Sequence, residues 1–171
     1  VCSSDLSVIN KYDMDTVYIT EKEDLSKLGK EIQLDIDFWE NLEILDYGES
    51  SIRFLPGVKL PDSLKILNIG GGYALETLAG FKMPPKLEQL SAGQGAMPSI
   101  DDIVFPPTLK SLEIPENKIY FLDYVKFPPS LKDLDVSQNR IESLKDVNFP
   151  SGLETLSLCF NPIESLDRKS T

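Results

Sequence analysis

The stretch FPPSLKDLDVSQNRIESLKDVNFP, residues Phe127–Pro150, decides the fold, because it ends on the same Phe-Pro pair with which it begins. From Leu131 onward, its apolar residues and one asparagine follow the order LxxLxLxxNxLxxL. The same order returns one period upstream, from Leu109, and one period downstream, from Leu153. A period of roughly 20 to 50 residues is typical of a solenoid of stacked repeats.

Three less regular copies precede these, so that six copies are visible, starting at Leu42, Leu64, Leu87, Leu109, Leu131 and Leu153. The steps between these starts are equal, except that the step from Leu64 to Leu87 is longer by one. Weaker traces of the pattern lie upstream, with two aromatic residues beside them, at Met14, Val17, Ile19, Leu28, Phe38 and Trp39. We therefore predict an N-terminal cap or divergent repeat over residues 1–41. Residues 42–171 are predicted to form six repeats, the last of them truncated or capping.

This pattern resembles that of the leucine-rich repeat family, and the resemblance covers Leu42–Leu166. The physical logic agrees with it, because the alternation in LxxLxL suits a strand with one buried face. One repeat cannot bury that face alone, so the stack is the folding unit. The resemblance implies an α/β repeat solenoid that is curved, with a parallel sheet on its concave face.

Five junctions between repeats place an apolar residue and a proline just ahead of the next strand, and they read LPDSL, MPPKL, FPPTL, FPPSL and FPSGL. Proline fixes its own φ and favours an extended residue before it, which predicts extended or 3₁₀ convex segments rather than long α-helices. Phe105, Phe127 and Phe149 are predicted to fill the core from the convex side. The junctions are similar to those of amoebal FNIP repeats, fungal F-box-associated repeats and short bacterial effector repeats. The period also fits phosphatase-regulator-type repeats, and the choice stays open.

Two sets of residues mark the turns after the strands. Asn117, Asn139 and Asn161 stand where the family's asparagine ladder turns the chain, which implies a structural role through the side-chain amide. The first three repeats depart from this pattern and carry, at the equivalent place, Ser50, Gly72 and Gly95. Further glycines thin out the surface nearby, at Gly70, Gly71 and Gly93. Either they form a shallow groove for a partner backbone, or these repeats have drifted toward irregular turns.

Residues between the buried leucines are expected to face outward, and those predicted to contact a partner are Asp46, Asn68, Gln89, Glu113, Glu116, Asp133 and Asp135. Glu113, Asp133 and Asp135 stand on neighbouring strands, and Glu116 stands at a strand end. Carboxylates on strands about 4.8 Å apart suit lysine or arginine side chains of a partner. The alternative is an ordinary solvated face of an acidic protein.

Aromatic residues form a second candidate surface, at Tyr120, Phe121 and Tyr124, where the next repeat has Glu142, Ser143 and Asp146. Phe54 matches Phe121 in an earlier repeat. Exposed aromatic residues are typical interface anchors. The alternative is that these rings fold back over a neighbouring repeat. A third candidate is Phe160, which follows Cys159 at the end of the last predicted strand.

Composition narrows the classes of partner. The 171 residues include 17 Lys and Arg against 28 Asp and Glu, a formal net charge of -11, which repels nucleic acid and anionic membranes. We therefore expect a protein partner with a basic or extended binding segment, no nucleic acid and no membrane. The two cysteines, Cys2 and Cys159, have no metal-type spacing and are read as reduced thiols. This favours an intracellular location, cytoplasmic or nuclear.

Enzyme chemistry has little support in the sequence. The chain has no histidine, and neither cysteine has the setting of a thiol nucleophile. The GGG near residue 70 lacks the lysine of a phosphate-binding loop. We therefore predict no catalytic activity, no metal and no cofactor. The prediction is a protein-protein interaction module, for instance the substrate-recognition part of a ubiquitin ligase. The alternative is a structural scaffold or a regulatory subunit that packs against another domain or a phosphatase.

Overall fold

The computed structural model describes residues 16–18, 41–46 and 60–164. Seven short strands lie in these ranges: β1 (Thr16–Tyr18), β2 (Ile44–Asp46), β3 (Ile66–Asn68), β4 (Gln89–Ser91), β5 (Ser111–Glu113), β6 (Asp133–Asp135) and β7 (Thr155–Ser157). They form one sheet in which the spatial order equals the chain order. Every neighbouring pair is parallel, so the chain advances by one strand per repeat as a solenoid. Several predicted positions lie outside the described residues, namely Cys2, Met14, Ile19, Leu28, Phe38, Trp39, Ser50, Phe54 and Leu166.

The strand register follows the sequence period. The middle residues of β2 to β7 align in one row, consisting of Leu45, Leu67, Leu90, Leu112, Leu134 and Leu156. The first five are at most 1% exposed. A slip by one residue would turn this row outward, so the buried leucines fix the register. Upstream, β1 pairs with β2 in the same register, with Val17 beside Leu45. The division of the chain at residues 1–41 stays a prediction.

One repeat is longer than the others by one residue, and the extra residue lies between β3 and β4. Leu67 still pairs with Leu90 despite this longer step between the repeats. The carbonyls of Leu75 and Met97 accept equivalent backbone hydrogen bonds from the next repeat, donated by Ala96 N and Lys118 N respectively. Leu75 follows its repeat start by one residue more than Met97 does. The insertion is therefore absorbed by the glycine-rich loop before Leu75, and the sheet is undisturbed.

Each returning segment between β3 and β7 contains two tight turns, and residues 60–164 contain no helix. The first turn is closed by a hydrogen bond from a backbone N–H to the carbonyl three residues earlier. The donors in the four segments are Phe81, Ile103, Val125 and Val147. The second turn is the proline junction, where the first leucine of the next repeat donates to the carbonyl of the first proline, as Leu109 does to Pro106 at 3.1 Å. The extended alternative, with isolated turns, therefore describes these segments, and the 3₁₀ alternative does not.

The core lies between the sheet and the returning segments. Three apolar positions of each returning segment face it, and the buried ones are Leu75, Leu78, Phe81, Met97, Ile100, Ile103, Ile119, Leu122, Val125 and Ile141. Phe105 is buried below them, and Phe127 and Phe149 pack partly buried against the same cluster. The rings of Phe127 and Phe149 stack with centroids 6.0 Å apart. The predicted role of these phenylalanines in the core is thus confirmed.

The asparagine ladder joins consecutive repeats. Asn139 Oδ1 accepts a hydrogen bond from Ile119 N at 3.1 Å, and Asn139 Nδ2 donates to Ile114 O at 3.0 Å, both in the preceding repeat. The same amide also donates to Val136 O within its own repeat. Asn117 and Asn161 make the same contacts one repeat earlier and one repeat later. The asparagines are therefore structural, as predicted.

Buried glycines allow neighbouring repeats to approach closely. A Cβ on Gly95 would lie 2.5 Å from Asn117 Oδ1, because the ladder amide of the next repeat occupies that space. A Cβ on Gly70 would lie 2.9 Å from Gly93 O, and one on Gly93 would lie 3.0 Å from Pro115. All three glycines are buried. These three glycines therefore have a structural reason, the close contact between repeats, while a groove for a partner and drift toward irregular turns stay predictions.

Candidate functional site

One face of the sheet is exposed and carries two rows of side chains. The first residues of the strands form one row, with Ile44, Ile66, Gln89, Ser111, Asp133 and Thr155. The last residues of the strands form the other, with Asp46, Asn68, Ser91, Glu113, Asp135 and Ser157. All are partly or fully exposed, whereas the leucines between them point into the core in β2 to β6. We call these two rows the sheet face.

The carboxylates of the sheet face concentrate on β5 and β6. Glu113 pairs in register with Asp135, and Asp133 lies between Ser111 and Thr155 of the adjacent strands. Glu113 and Asp133 are exposed, and no described residue forms an ion pair with either. Asp135 is half-buried and accepts a hydrogen bond from the N–H two residues later, at 2.8 Å. Glu113 and Asp133 are therefore the carboxylates most available to a partner.

Other predicted contact residues are engaged within the chain. Asn68 Nδ2 donates to Asp46 Oδ1 at 2.9 Å, and Asn68 Oδ1 accepts from Gly70 N at 3.2 Å. Glu116 has left-handed backbone geometry, with φ 53°, and its Oε1 accepts from Gln94 Nε2 at 3.2 Å. These residues shape the loops at the end of the strands. Their predicted contact with a partner stays a prediction.

A row of lysine–glutamate pairs borders the sheet face, and sequence reasoning missed it. The pairs join adjacent repeats through Nζ–Oε distances of 2.6 to 2.7 Å, in Lys65–Glu43, Lys110–Glu88 and Lys132–Glu154. The hydrogen bond to Glu154, together with its charge, raises the pKa of Lys132. Exposed pairs of this kind contribute little to stability, because water and salt screen them. Each of these lysines forms its ion pair with a glutamate and not with Glu113 or Asp133, although the charge of Asp133 also contributes to the raised pKa of Lys132. The sequence does carry a signal for this row, because the residue after the first leucine of every repeat is either lysine or glutamate.

The second candidate surface, which we call the aromatic surface, consists of Tyr120, Phe121 and Tyr124. Phe121 is 55% exposed and Tyr124 is 72% exposed, so the alternative of rings folded back over a neighbour is wrong for these two. Tyr120 is partly covered from the next repeat. Arg140 Nη1 donates to Tyr120 Oη at 2.7 Å, and the guanidinium carbon lies 5.6 Å from the ring centroid. The centroids of Tyr120 and Phe121 are 6.3 Å apart.

Phe160 extends from the loop after β7 and is 84% exposed. It has left-handed geometry, with φ 59°, as do Gln94, Glu116 and Gln138 at the equivalent place in preceding repeats. Cys159 beside it is an exposed free thiol. Phe160 is therefore a large apolar side chain at a place where the three preceding repeats carry polar ones.

Within residues 16–18, 41–46 and 60–164, no group of three or more His, Cys, Asp or Glu side chains could hold a metal ion. The same ranges contain no helix long and apolar enough to cross a membrane. The structure therefore offers exposed surfaces of defined chemistry, the sheet face and the aromatic surface, as its candidate sites.

Three solved structures share this architecture. The chain matches YopM from Yersinia enterocolitica with 24% identity and a TM-score of 0.51, over 74% of this chain and 30% of that one. It matches an internalin, InlF, from Listeria monocytogenes with 21% identity and a TM-score of 0.64, over 77% and 39%. It matches a Shigella effector LRR domain with 22% identity and a TM-score of 0.61, over 87% and 62%.

These likenesses show that the fold is that of a leucine-rich repeat solenoid. The chain spans between 30% and 62% of the length of the three matched proteins. No protein-family model and no curated protein matches the chain.

Proposed function

We propose that this chain is a non-catalytic recognition module that binds a basic, extended segment of a partner protein on the sheet face. The observation that carries the proposal is the pair of exposed carboxylates, Glu113 and Asp133, which form no ion pair with any described residue. They are diagonal neighbours on adjacent strands, roughly 7 to 8 Å apart, and alternate side chains of an extended segment, about 6.6 Å apart, can reach both. The neighbouring lysines form their ion pairs with glutamates, so no described lysine has to be displaced from an ion pair with Glu113 or Asp133 before a partner binds.

The solved relatives support a binding role by analogy. One is an effector domain and another is an internalin, and proteins of this fold present an extended surface rather than a catalytic pocket. If the sheet face is concave, as the resemblance implies, a bound segment is contacted by several strands at once. The net charge of -11 favours a basic protein over nucleic acid or an anionic membrane. One assembly in which such a module could serve is a ubiquitin ligase, as its substrate-recognition part.

The test is the double variant Glu113→Lys with Asp133→Lys, compared with the unchanged chain in quantitative pull-down from a cell lysate. The reversal of charge should remove partners held through lysine or arginine. A matched control, Asp62→Lys with Glu164→Lys, makes the same change in net charge at exposed positions outside the sheet face. Circular dichroism on all three proteins verifies that each remains folded.

The expected result is a set of proteins retained by the unchanged chain and by the control but lost from the sheet-face variant. Equal loss from both variants would mean that net charge alone attracts the partners. Retention by the sheet-face variant would place the binding site elsewhere. Either of these outcomes contradicts the proposal.

A scaffold function is the second candidate, and one observation favours it. Leu156 of β7 is 37% exposed and Phe160 is 84% exposed, whereas the matching leucines of β2 to β6 are buried. The exposed apolar side chains of this repeat can pack against another domain or against a phosphatase subunit. Phe160→Gln, which installs the residue type of the preceding repeat, should weaken that packing without affecting the sheet face.

A further inference from the structure

The aromatic surface occupies positions at which neighbouring repeats carry turn-forming residues. Before the first turn of the returning segment, Thr77, Ser99 and Ser143 each accept a hydrogen bond from the N–H two residues later, at 2.9 to 3.1 Å. Phe121 stands at the same place and has no hydroxyl to offer. A local hydrogen bond that stabilises the turn elsewhere is therefore absent in this repeat, and an exposed ring stands in its place.

Tyr124 departs from its neighbours in the same way. It is the third residue of the turn closed by Val125 N and Leu122 O at 3.2 Å. The equivalent residues of the other described turns are Gly80, Asp102 and Asp146, which are favourable turn residues. Tyr124 is 72% exposed and adds nothing to the core. Folding gives no reason for either ring, and exposed aromatic side chains beside polar ones are typical of interface anchors.

The surroundings of these rings are acidic. The returning segments 98–104, 120–126 and 142–148 carry five carboxylates against two lysines. Asp102 and Asp146 flank Tyr124 at the equivalent position of the repeats on either side, and both are exposed. In addition, Asp101 and Asp123 each keep one carboxylate oxygen buried without a hydrogen-bond partner. Arg140 adds a third cation where it lies over Tyr120, so the surroundings of Phe121 and Tyr124 stay net negative.

We propose that the aromatic surface is a second docking site, which binds an arginine-bearing segment of a partner protein by stacking the guanidinium on Phe121 and Tyr124. A planar cation is attracted both by the ring faces and by the carboxylates that flank them. The chain itself shows this mode once, where Arg140 lies over Tyr120 and donates to its hydroxyl. A second copy of the chain fits less well, because its net charge is also -11.

This site is independent of the sheet face. Ile119, Leu122 and Val125 of the same segment point into the core, on the side that faces away from the exposed rows of the sheet. A partner can therefore occupy either surface alone, and failure of one proposal leaves the other standing.

Substitutions taken from neighbouring repeats allow a clean test. Phe121→Ser restores the hydroxyl that Ser99 and Ser143 use, and Tyr124→Asp installs the residue found at 102 and 146. The double variant should stay folded and lose the rings. Because Tyr124→Asp adds a carboxylate, a loss of binding to a cation cannot be attributed to weaker charge attraction. The matched control is Tyr73→Gln, which removes another exposed ring, 66% exposed, in favour of the residue at Gln94 and Gln138.

The probe is the peptide acetyl-Ala-Arg-Ala-Arg-Ala-amide, titrated into the whole chain and followed by ¹H–¹³C NMR of the phenylalanine and tyrosine rings. Two matched peptides replace both arginines, one with citrulline, which keeps the shape without the charge, and one with leucine. We expect saturable shifts of the Phe121 and Tyr124 signals with the arginine peptide. Affinity should fall at least about fivefold for citrulline and for leucine, and again at high salt.

The double variant should lose the saturable shifts of the Tyr120 signals, whose ring lies 6.3 Å from that of Phe121 in the unchanged chain, whereas peptide bound at the sheet face leaves these signals unchanged. Tyr73→Gln should keep the affinity reported by Phe121 and Tyr124 within about twofold. The proposal is overturned if the leucine or citrulline peptide binds as well as the arginine peptide, which would indicate an apolar occupant. It is also overturned if the Tyr120 signals of the double variant still show saturable shifts, or if ring signals shift with protein concentration alone, which would indicate self-association. Absence of saturation up to millimolar peptide overturns it as well.

Discussion

Asn139 shows how one side chain can hold two repeats together. Its amide oxygen is the acceptor for the buried N–H of Ile119, and its amide nitrogen donates to carbonyls of both repeats. Asn139→Ala leaves the Ile119 N–H without a partner away from water. We expect a loss of about 1 to 3 kcal/mol in the free energy of unfolding, measured with urea.

The control is Asn148→Ala, because that amide is exposed and makes one long bond of 3.4 Å to the carbonyl of Asp146. It should change the free energy of unfolding by less than about 0.5 kcal/mol. Equal losses for the two variants would show that the ladder does not carry the stability assigned to it.

Gly95 is required by a neighbour rather than by its own backbone. Gly95→Ala places a methyl group 2.5 Å from Asn117 Oδ1 and 3.0 Å from Leu75 O, so the ladder must shift. We expect a loss of about 1 to 3 kcal/mol, as for other overpacked sites. Gly152→Ala is the control, since the nearest atom to its added Cβ is 3.8 Å away.

The clash also predicts coupling between two sites. In the double variant Gly95→Ala with Asn117→Ala, the methyl group no longer meets the amide oxygen. The combined loss should therefore be smaller than the sum of the single losses. Strict additivity in urea unfolding would mean that the backbone contact with Leu75, and not the amide, makes alanine unfavourable at 95.

The sequence predicted which residues face outward, because the strict alternation around each leucine leaves no other choice. It did not predict why Gly70, Gly93 and Gly95 are glycines. Their constraint comes from atoms of the next repeat, about one period away, and no local pattern records a distance between repeats. The exposure of Phe121 and Tyr124 was predicted, because the comparison of repeats isolates the positions that the core does not use.

At the scale of the element, the proline junction is a turn whose geometry proline presets. In three junctions a second proline follows the first, at Pro85, Pro107 and Pro129, the position of a tight turn that prefers proline. The last junction has Ser151 there, with the same closing bond from Leu153 N to Pro150 O at 3.1 Å. Ser151→Pro should therefore stabilise the chain by about 0.4 to 1 kcal/mol, by restricting the unfolded state.

The reverse change, Pro129→Ser, should cost a similar amount in thermal or urea unfolding. None of the described hydrogen bonds uses the N–H of Ser151, so proline removes no bond at that site. Destabilisation by Ser151→Pro would show that this junction differs in backbone geometry from the three before it.

Strands and junctions were predictable as elements because each carries its own chemistry, leucine alternation in one case and proline in the other. The lysine–glutamate row was missed for a different reason. Lys110 and Glu88 are a full repeat apart in the sequence, and their pairing depends on the register of β4 and β5. Only the stacked structure brings such residues into contact.

At the scale of the whole molecule, the equal period of the repeats predicts that one repeat can be removed. Deletion of residues 109–130 takes out one complete period and joins Thr108 to Leu131, which keeps the order of the junction and strand intact. The shortened chain should unfold in one cooperative transition. Its m-value in urea should fall by roughly an eighth, in proportion to the residues removed.

Deletion of half a period, residues 109–119, is the control. It removes a strand but leaves its returning segment, so the apolar positions no longer align with those of the neighbours. We expect loss of the cooperative transition in that variant. Similar unfolding of the two shortened chains would contradict a fold in which the repeat is the structural unit.

The asparagine ladder also gives the stack a direction. Asn117, Asn139 and Asn161 each form hydrogen bonds with the repeat before them and not with the one after. Each of those preceding repeats therefore gains these bonds from a residue that the ribosome adds about twenty positions later. During synthesis, a repeat that relies on such an asparagine therefore lacks these hydrogen bonds until the next repeat has formed. Unfolding from the C-terminal side has the opposite effect. When the repeat that carries Asn161 opens, the repeat before it loses the hydrogen bonds that this amide supplies.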